Sequence, residues 1–111
     1  MKLKQLLVCT SLMMAGFSVQ AAEPSFDAVK DILTRNACLS CHTVEKKVVG
    51  PAYQQIAAKR KDDPANAALL AQHIRQGSQG VYGPMPMPAN AGISDSDIQA
   101  IVSWLMAGAE K

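Results

Sequence analysis

Cys38-Leu39-Ser40-Cys41-His42 constrains this chain more than any other stretch. The spacing C-x-x-C-H marks covalent attachment of a c-type haem. Two thiols one helical turn apart can each add to one vinyl group of the same porphyrin. The adjacent imidazole is then carried under the iron. A chain built this way folds around a large, flat, mostly apolar group. Other chemistries use part of the pattern. A redox-active thiol pair uses C-x-x-C, but it is expected near a βαβ pattern, and this sequence has no strand-like alternation of useful length. A structural zinc site takes about four ligands. Cys38, Cys41, His42 and His73 would just supply them, yet adjacent Cys41 and His42 would strain to face one metal. A plain Cys38–Cys41 disulfide closes too short a loop to constrain the unfolded chain much.

The amino terminus fits export. Lys2 and Lys4 precede a mostly apolar run from Leu6 to Val19, and Val19-Gln20-Ala21 has the small-residue pattern of a secretory signal peptidase site. The expected cut follows Ala21, with Ala22 as the other position. The run is shorter than the roughly 20 residues of a spanning helix, so residues 1–21 read as a cleaved signal peptide and not as an anchor. Cys9 is discarded with it, and Val8 before it does not suit a lipoprotein acceptor. Residues 22–111 then form a single domain without a membrane span. The export route places it in the bacterial periplasm, and haem attachment of this type is likewise completed outside the cytoplasm.

The full chain carries 11 basic and 9 acidic side chains. Lys2 and Lys4 leave with the signal, so the processed domain is formally neutral. It lacks the basic footprint of a nucleic-acid binder. A domain this small is marginal by burial alone. Its aromatic residues after processing are Phe26, Tyr53, Tyr82 and Trp104. A large buried cofactor would supply the missing apolar mass.

The patterning is all-α. Ser25 can cap a first helix with Phe26, Val29, Ile32 and Leu33 on one stripe. A short helix follows Pro51 through Tyr53, Ile56 and Ala57. A third starts at Asp63 as N-cap and Pro64 as first helical residue, carries Leu70 and Ile74 on one face, and stops at Gly77. The fourth opens with Ser94 and Asp97 as a capping box, weaker for having Asp at the third position. Ile98, Ile101, Val102, Leu105 and Ala109 form its stripe. Loops 43–50 and 77–93 connect these helices.

A haem iron takes six ligands, four of them from the ring. His42 offers a fifth. An electron carrier fills the sixth position from the protein, and a thioether there raises the reduction potential. Three methionines remain after processing. Met106 lies in the last helix and reads as gap-filling core. Met85 and Met87 lie in Gly83-Pro84-Met85-Pro86-Met87-Pro88-Ala89-Asn90, where three prolines favour an extended, polyproline-like strap. At about three residues per turn, side chains two apart point in different directions, so only one of the two faces the iron comfortably.

At this point the sequence resembles the class I monohaem cytochromes c, in particular the short bacterial cytochrome c551 (c8) type. The resemblance covers nearly all of residues 27–111. Its specific parts are VGPAY at 49–53, GSQGVYGPMPMPAN at 77–90 and the closing helix with Trp104. It implies about four helices around one covalent haem c, with thioethers from Cys38 and Cys41 and His42 as an axial ligand. It implies that the Pro51 carbonyl receives the other nitrogen of His42. It selects Met87 as the sixth ligand, leaves Met85 as packing, and points to Asn90 as a hydrogen-bond donor near the sulfur. Tyr82 stands where a tryptophan often donates to a haem propionate. His73 stands where a basic residue, often arginine, approaches the inner propionate. His73 is therefore either a half-exposed helix histidine or a pH-sensitive partner.

The function so implied is one-electron shuttling by a monomer, without catalysis, between transient redox partners over the haem edge near Cys38 and Cys41. Lys46, Lys47 and Lys59 are candidates for the polar rim. The family implies membrane cytochrome complexes as donors, and a nitrite reductase of denitrification, a terminal oxidase of respiration or a peroxidase as acceptor. A haem enzyme or gas sensor with an open axial position is the competing function. A non-haem thiol or zinc module is the remote one.

Overall fold

The computed structural model describes residues 15–16 and 24–111. Apart from Ala15 and Gly16, the expected signal peptide, both cleavage positions and Cys9 lie outside the described residues. Among the described residues four helices follow in order: α1 at Phe26–Arg35, α2 at Tyr53–Arg60, α3 at Asn66–Gln76 and α4 at Asp95–Met106, with a 3₁₀ turn at Cys38–Ser40 after α1. Among the described residues β pairing is limited to isolated bridges, His42 with Lys47 and Ser78 with Met87. The all-α expectation therefore holds.

Helix α4 is the centre of the fold. It packs on α1, α2 and α3, because its apolar stripe is wide. Ile98, Ile101, Val102, Trp104 and Leu105 are all buried. Val29, Ile32 and Leu33 of α1 face it as the periodicity predicts. Tyr53, Ile56 and Ala57 of α2 and Leu70 and Ile74 of α3 complete the core.

The helix ends differ from the sequence expectation at four points. Ser25 stands at the N-cap of α1 but its side chain makes no capping bond. Helix α4 ends at Met106, so Ala109 lies beyond its stripe, in the turn that follows. Asp63 and Pro64 start a tight turn in place of the helix proper. Asp63 Oδ1 accepts from the Ala65 amide at 3.0 Å, and the amides of Asn66 and Ala67 bond to the carbonyls of Asp63 and Pro64. These three-residue steps are 3₁₀ geometry, so the α-helix begins only at Asn66. In α4, the Ser94 hydroxyl accepts from the Asp97 amide at 3.2 Å. The Asp97 carboxylate does not return the bond to Ser94. It pairs with Arg35 of α1 at 2.5 Å instead, because aspartate is one methylene shorter than the usual glutamate. Gly77 closes α3 with φ 78°, as expected of a stop glycine.

The carboxyl-terminal residues turn back over α4. Gly108 and Ala109 take positive φ. Ala109 is fully buried, and the Glu110 carbonyl oxygen accepts from Trp104 Nε1 at 2.8 Å. Trp104 is thus sealed on its polar edge as well as on its faces.

Candidate haem site

The 3₁₀ turn, loop 43–52, loop 77–93 and all four helices line one open cleft, whose empty space of about 970 Å³ includes solvent at its mouth. Leu33, Ile56, Leu70, Ile74, Ile101 and Leu105 give it apolar walls. Its polar lining is sparse, and every site residue singled out by sequence is part of the wall, with Tyr53 and Ser78 beside them. Cys38, Cys41, His42, Pro51, His73, Tyr82, Met87 and Asn90 all border it.

The turn that carries the thiols is short and tight. The amides of Cys41 and His42 both bond to the Cys38 carbonyl, at 3.2 and 3.1 Å. Both cysteines are free thiols, half-buried at the cavity. Burial pushes the Cys38 thiol above its ordinary range, with a backbone hydrogen bond acting against it.

His42 is buried, and its ring is held on three sides. Nδ1 lies 2.7 Å from the Pro51 carbonyl oxygen. A carbonyl only accepts, so Nδ1 carries the proton and Nε2 keeps its lone pair. Tyr53 stacks on the ring at 5.2 Å between centroids, inclined by 28°. Gly50 presses on another side, where a β-carbon would come within 2.6 Å of Cε1. Tyr53 is held in turn edge-on by Trp104 at 5.1 Å, and Trp104 by Phe26 at 5.8 Å.

The methionine strap is anchored to the end of α3. Ser78 and Met87 exchange two backbone hydrogen bonds, at 3.1 and 2.9 Å, and the Asn90 amide donates to the Ile74 carbonyl at 3.0 Å. Met87 is half-buried and packs against the core, whereas Met85 is 65% exposed. The Asn90 side chain donates to the Pro88 carbonyl oxygen at 3.4 Å, bracing the strap two residues back.

Two hydroxyls at the cavity, Tyr53 Oη and Tyr82 Oη, are buried without a hydrogen-bond partner among the described residues. Orphaned polar atoms are costly, and a bound group with acceptor oxygens would satisfy them. Burial, with the two thiols adding, pushes the Tyr53 hydroxyl well above the usual phenol range, so it remains a donor. His73 has its pKa lowered by burial and, secondarily, by the charge of Arg60. Two thiols, an imidazole with a bare nitrogen, a thioether, apolar walls and unsatisfied donors together fit a haem.

The Cytochrome c family profile matches residues 26–109, most of the chain. The chain belongs to the cytochrome c family. It is 41% identical to "Cytochrome c-552" of Nitrosomonas europaea over 97 residues, covering 87% of this chain and 86% of that one. It is 46% identical to "Cytochrome c-551" of Pseudomonas aeruginosa over 77 residues, covering 68% of this chain and 73% of the other. The fold superimposes on the crystal structure of the wild-type Nitrosomonas europaea cytochrome c552 with a TM-score of 0.68, at 46% identity over 71% of this chain and 98% of that one. The chain is thus a class I monohaem c-type cytochrome. It is an electron carrier and not an enzyme, and its cofactor is one covalently attached haem c.

Several residues that shape the site of this cytochrome were not singled out from sequence. Gly50, and Gly77, which the sequence marks only as a helix stop, stand in tight contact with His42 and Met87. The G-P pair after the haem motif was a signal for the first, but its steric reason appears only in the fold. Tyr53 is expected from sequence only as part of the short helix after Pro51, and it also carries an orphaned hydroxyl at the cavity. Arg60 lies close enough to His73 to influence it, which no spacing in the sequence announces. Lys59 was assigned to a polar rim, and its Nζ lies 5.0 Å from the centre of the Tyr82 ring, a cation–π distance.

Proposed function

We propose that the chain is a periplasmic one-electron carrier whose haem is held by Cys38 and Cys41 and ligated by His42 and Met87. The observation that carries this reading is the hydrogen bond from His42 Nδ1 to Pro51, which leaves Nε2 bare on a residue that lines the same cavity as both thiols. When bound, the haem supplies an iron centre that accepts and releases one electron. The residues around it do the rest. His42 holds its lone pair in a fixed direction because Pro51, Tyr53 and Gly50 confine the ring. Met87 would supply the second protein ligand to the iron and so keep small ligands out. The apolar walls exclude water, which keeps the surroundings rigid during electron exchange. Tyr82 would donate to a propionate of the bound haem, with His73 near the inner one, and Asn90 would steady the strap.

Partners dock at the cavity mouth. Leu39, Val48, Val49 and Met85 are the large exposed apolar residues of the described chain, and Val49 and Met85 border the cavity. Lys46 and Lys47 precede Val48 in sequence, Lys59 lies over the Tyr82 ring, and the three supply the charged rim. Such encounters are small and transient, consistent with a monomer that shuttles between a membrane cytochrome complex and an acceptor such as a nitrite reductase, a terminal oxidase or a peroxidase. No helix among the described residues is long and apolar enough to cross a membrane. Export by residues 1–21 completes this reading.

Optical spectroscopy of the purified holoprotein tests it. The ferric protein should show the near-infrared methionine-to-iron band, and the reduced protein should exclude carbon monoxide. Met87→Ala should remove the band and admit carbon monoxide, while Met85→Ala keeps both properties. The reverse pattern would assign the ligand to Met85. Carbon monoxide binding by the unaltered protein would favour the open-site enzyme or sensor.

A further inference from the structure

We propose that Arg75 is a positioning residue for Met87, acting as a clamp on the return limb of the strap. Proline at 84, 86 and 88 deprives the strap of backbone donors. Between Met87 and the start of α4 at Asp95, the amides of residues 89 and 91–94 make no bond to α3, and only that of Asn90 does. Arg75, in the last turn of α3, supplies side-chain donors in their place. Its Nη1 donates to the Ala91 carbonyl at 3.2 Å and to the Ile93 carbonyl at 2.9 Å. Its Nη2 pairs with the Asp95 carboxylate at 2.5 Å. One planar fork thus joins α3, the limb and the first residue of α4. Lysine cannot reproduce this, since its ammonium is a single point on a flexible stem.

The clamp matters for the ligand because of where it sits. Ser78 and Ile74 fasten the strap at Met87 and Asn90 through backbone bonds alone. Ile74 lies beside Arg75 in α3, and Ser78 lies just past the end of that helix. A strap held at 87, 90 and 91–95 opens only when these ties release together. Local opening of this kind sets how often a fold exposes one segment without unfolding. Arg75 therefore holds the thioether in place without touching it. The proposal rests on the reading of Met87 as the iron ligand.

Imidazole displacement in the ferric holoprotein tests it. Foreign ligand enters only when the strap opens, so the displacement rate follows the open population. Arg75→Gln should accelerate displacement about tenfold, the loss of roughly one hydrogen bond from a charged group. The Asn90 amide should exchange with deuterium faster by a similar factor. Arg75→Lys should fall between, at about threefold, and answers the question if the glutamine variant fails to fold. Asp95→Asn, which removes only an exposed pair, should stay within about twofold of the unaltered protein. Displacement and exchange unchanged in both Arg75 variants would overturn the proposal. So would an Asp95→Asn variant as fast as Arg75→Gln, since the ion pair and not the carbonyl clamp would then hold the strap. If the unaltered protein lacks the methionine band, the ligand reading fails, and Asn90 exchange alone decides whether Arg75 clamps the limb.

Discussion

The carbonyl oxygen of Met87 lies so close to Gly77 that a β-carbon on the glycine would come within 2.5 Å of it. The atoms in the way are backbone, including the Ala89 amide at 3.0 Å, so no side chain can swing aside. Gly77 also takes φ 78°, a left-handed value that favours glycine. Gly77→Ala should therefore push the strap away from α3. The expected result is a weakened methionine-to-iron band, carbon monoxide binding by the reduced protein, and a stability loss of about 1–3 kcal/mol by denaturant titration.

Gly50 stands in the same relation to His42. Its missing side chain leaves room for the imidazole, and a methyl group would overlap Cε1 at 2.6 Å and Nδ1 at 2.9 Å. Gly50→Ala should displace the ring and disturb the bond to Pro51. Overpacking of this kind costs about 1–3 kcal/mol. Shifted histidine resonances in the holoprotein, with a lowered unfolding midpoint, would check it.

Trp104 links the core to the ring of His42 through Tyr53. It is fully buried, and its indole nitrogen holds the Glu110 carbonyl at 2.8 Å. Trp104→Phe keeps an aromatic wall but leaves that carbonyl without its donor, at a cost of about 1–3 kcal/mol. Trp104→Ala should cost about 3–5 kcal/mol. Thermal unfolding of the two variants should rank them in that order.

The pKa of His73 is lowered from 6.5 by burial first and by Arg60 second. The folded chain therefore binds fewer protons at this site than the unfolded chain. Its contribution to stability is present above pH 6.5 and is lost as pH falls through the folded value. In the haem-bound protein, extra positive charge on oxidised iron lowers the pKa further. Deprotonation then favours the oxidised form, and the reduction potential should fall as pH rises through the titration of His73. His73→Arg should flatten the potential in this window. An unchanged profile would assign the effect to another group.

Local patterns explain what the sequence made legible. The apolar stripes of α1 and α4, the stop at Gly77 and the loops between helices need only neighbours along the chain. The start of α3 was placed early, because Asp63 and Pro64 suit a tight turn as well as a helix. The Asp97 half of the capping box was missed because its competitor, Arg35, is distant in sequence and adjacent only after folding. The same holds for Arg75, whose three partners lie in the next loop and helix. The orphaned hydroxyls of Tyr53 and Tyr82 carry no sequence signal, since burial of an atom depends on the whole fold.

The cavity takes wall residues from every helix: Leu33 from α1, Ile56 from α2, Leu70 and Ile74 from α3, Ile101 and Leu105 from α4. Each of these also belongs to, or packs beside, the core of the fold. A substitution at any of them changes the packing of the chain and the surroundings of the iron in one step. Stability and reduction potential are therefore not independent traits in this cytochrome, and a series of wall variants should trace a correlated path through both.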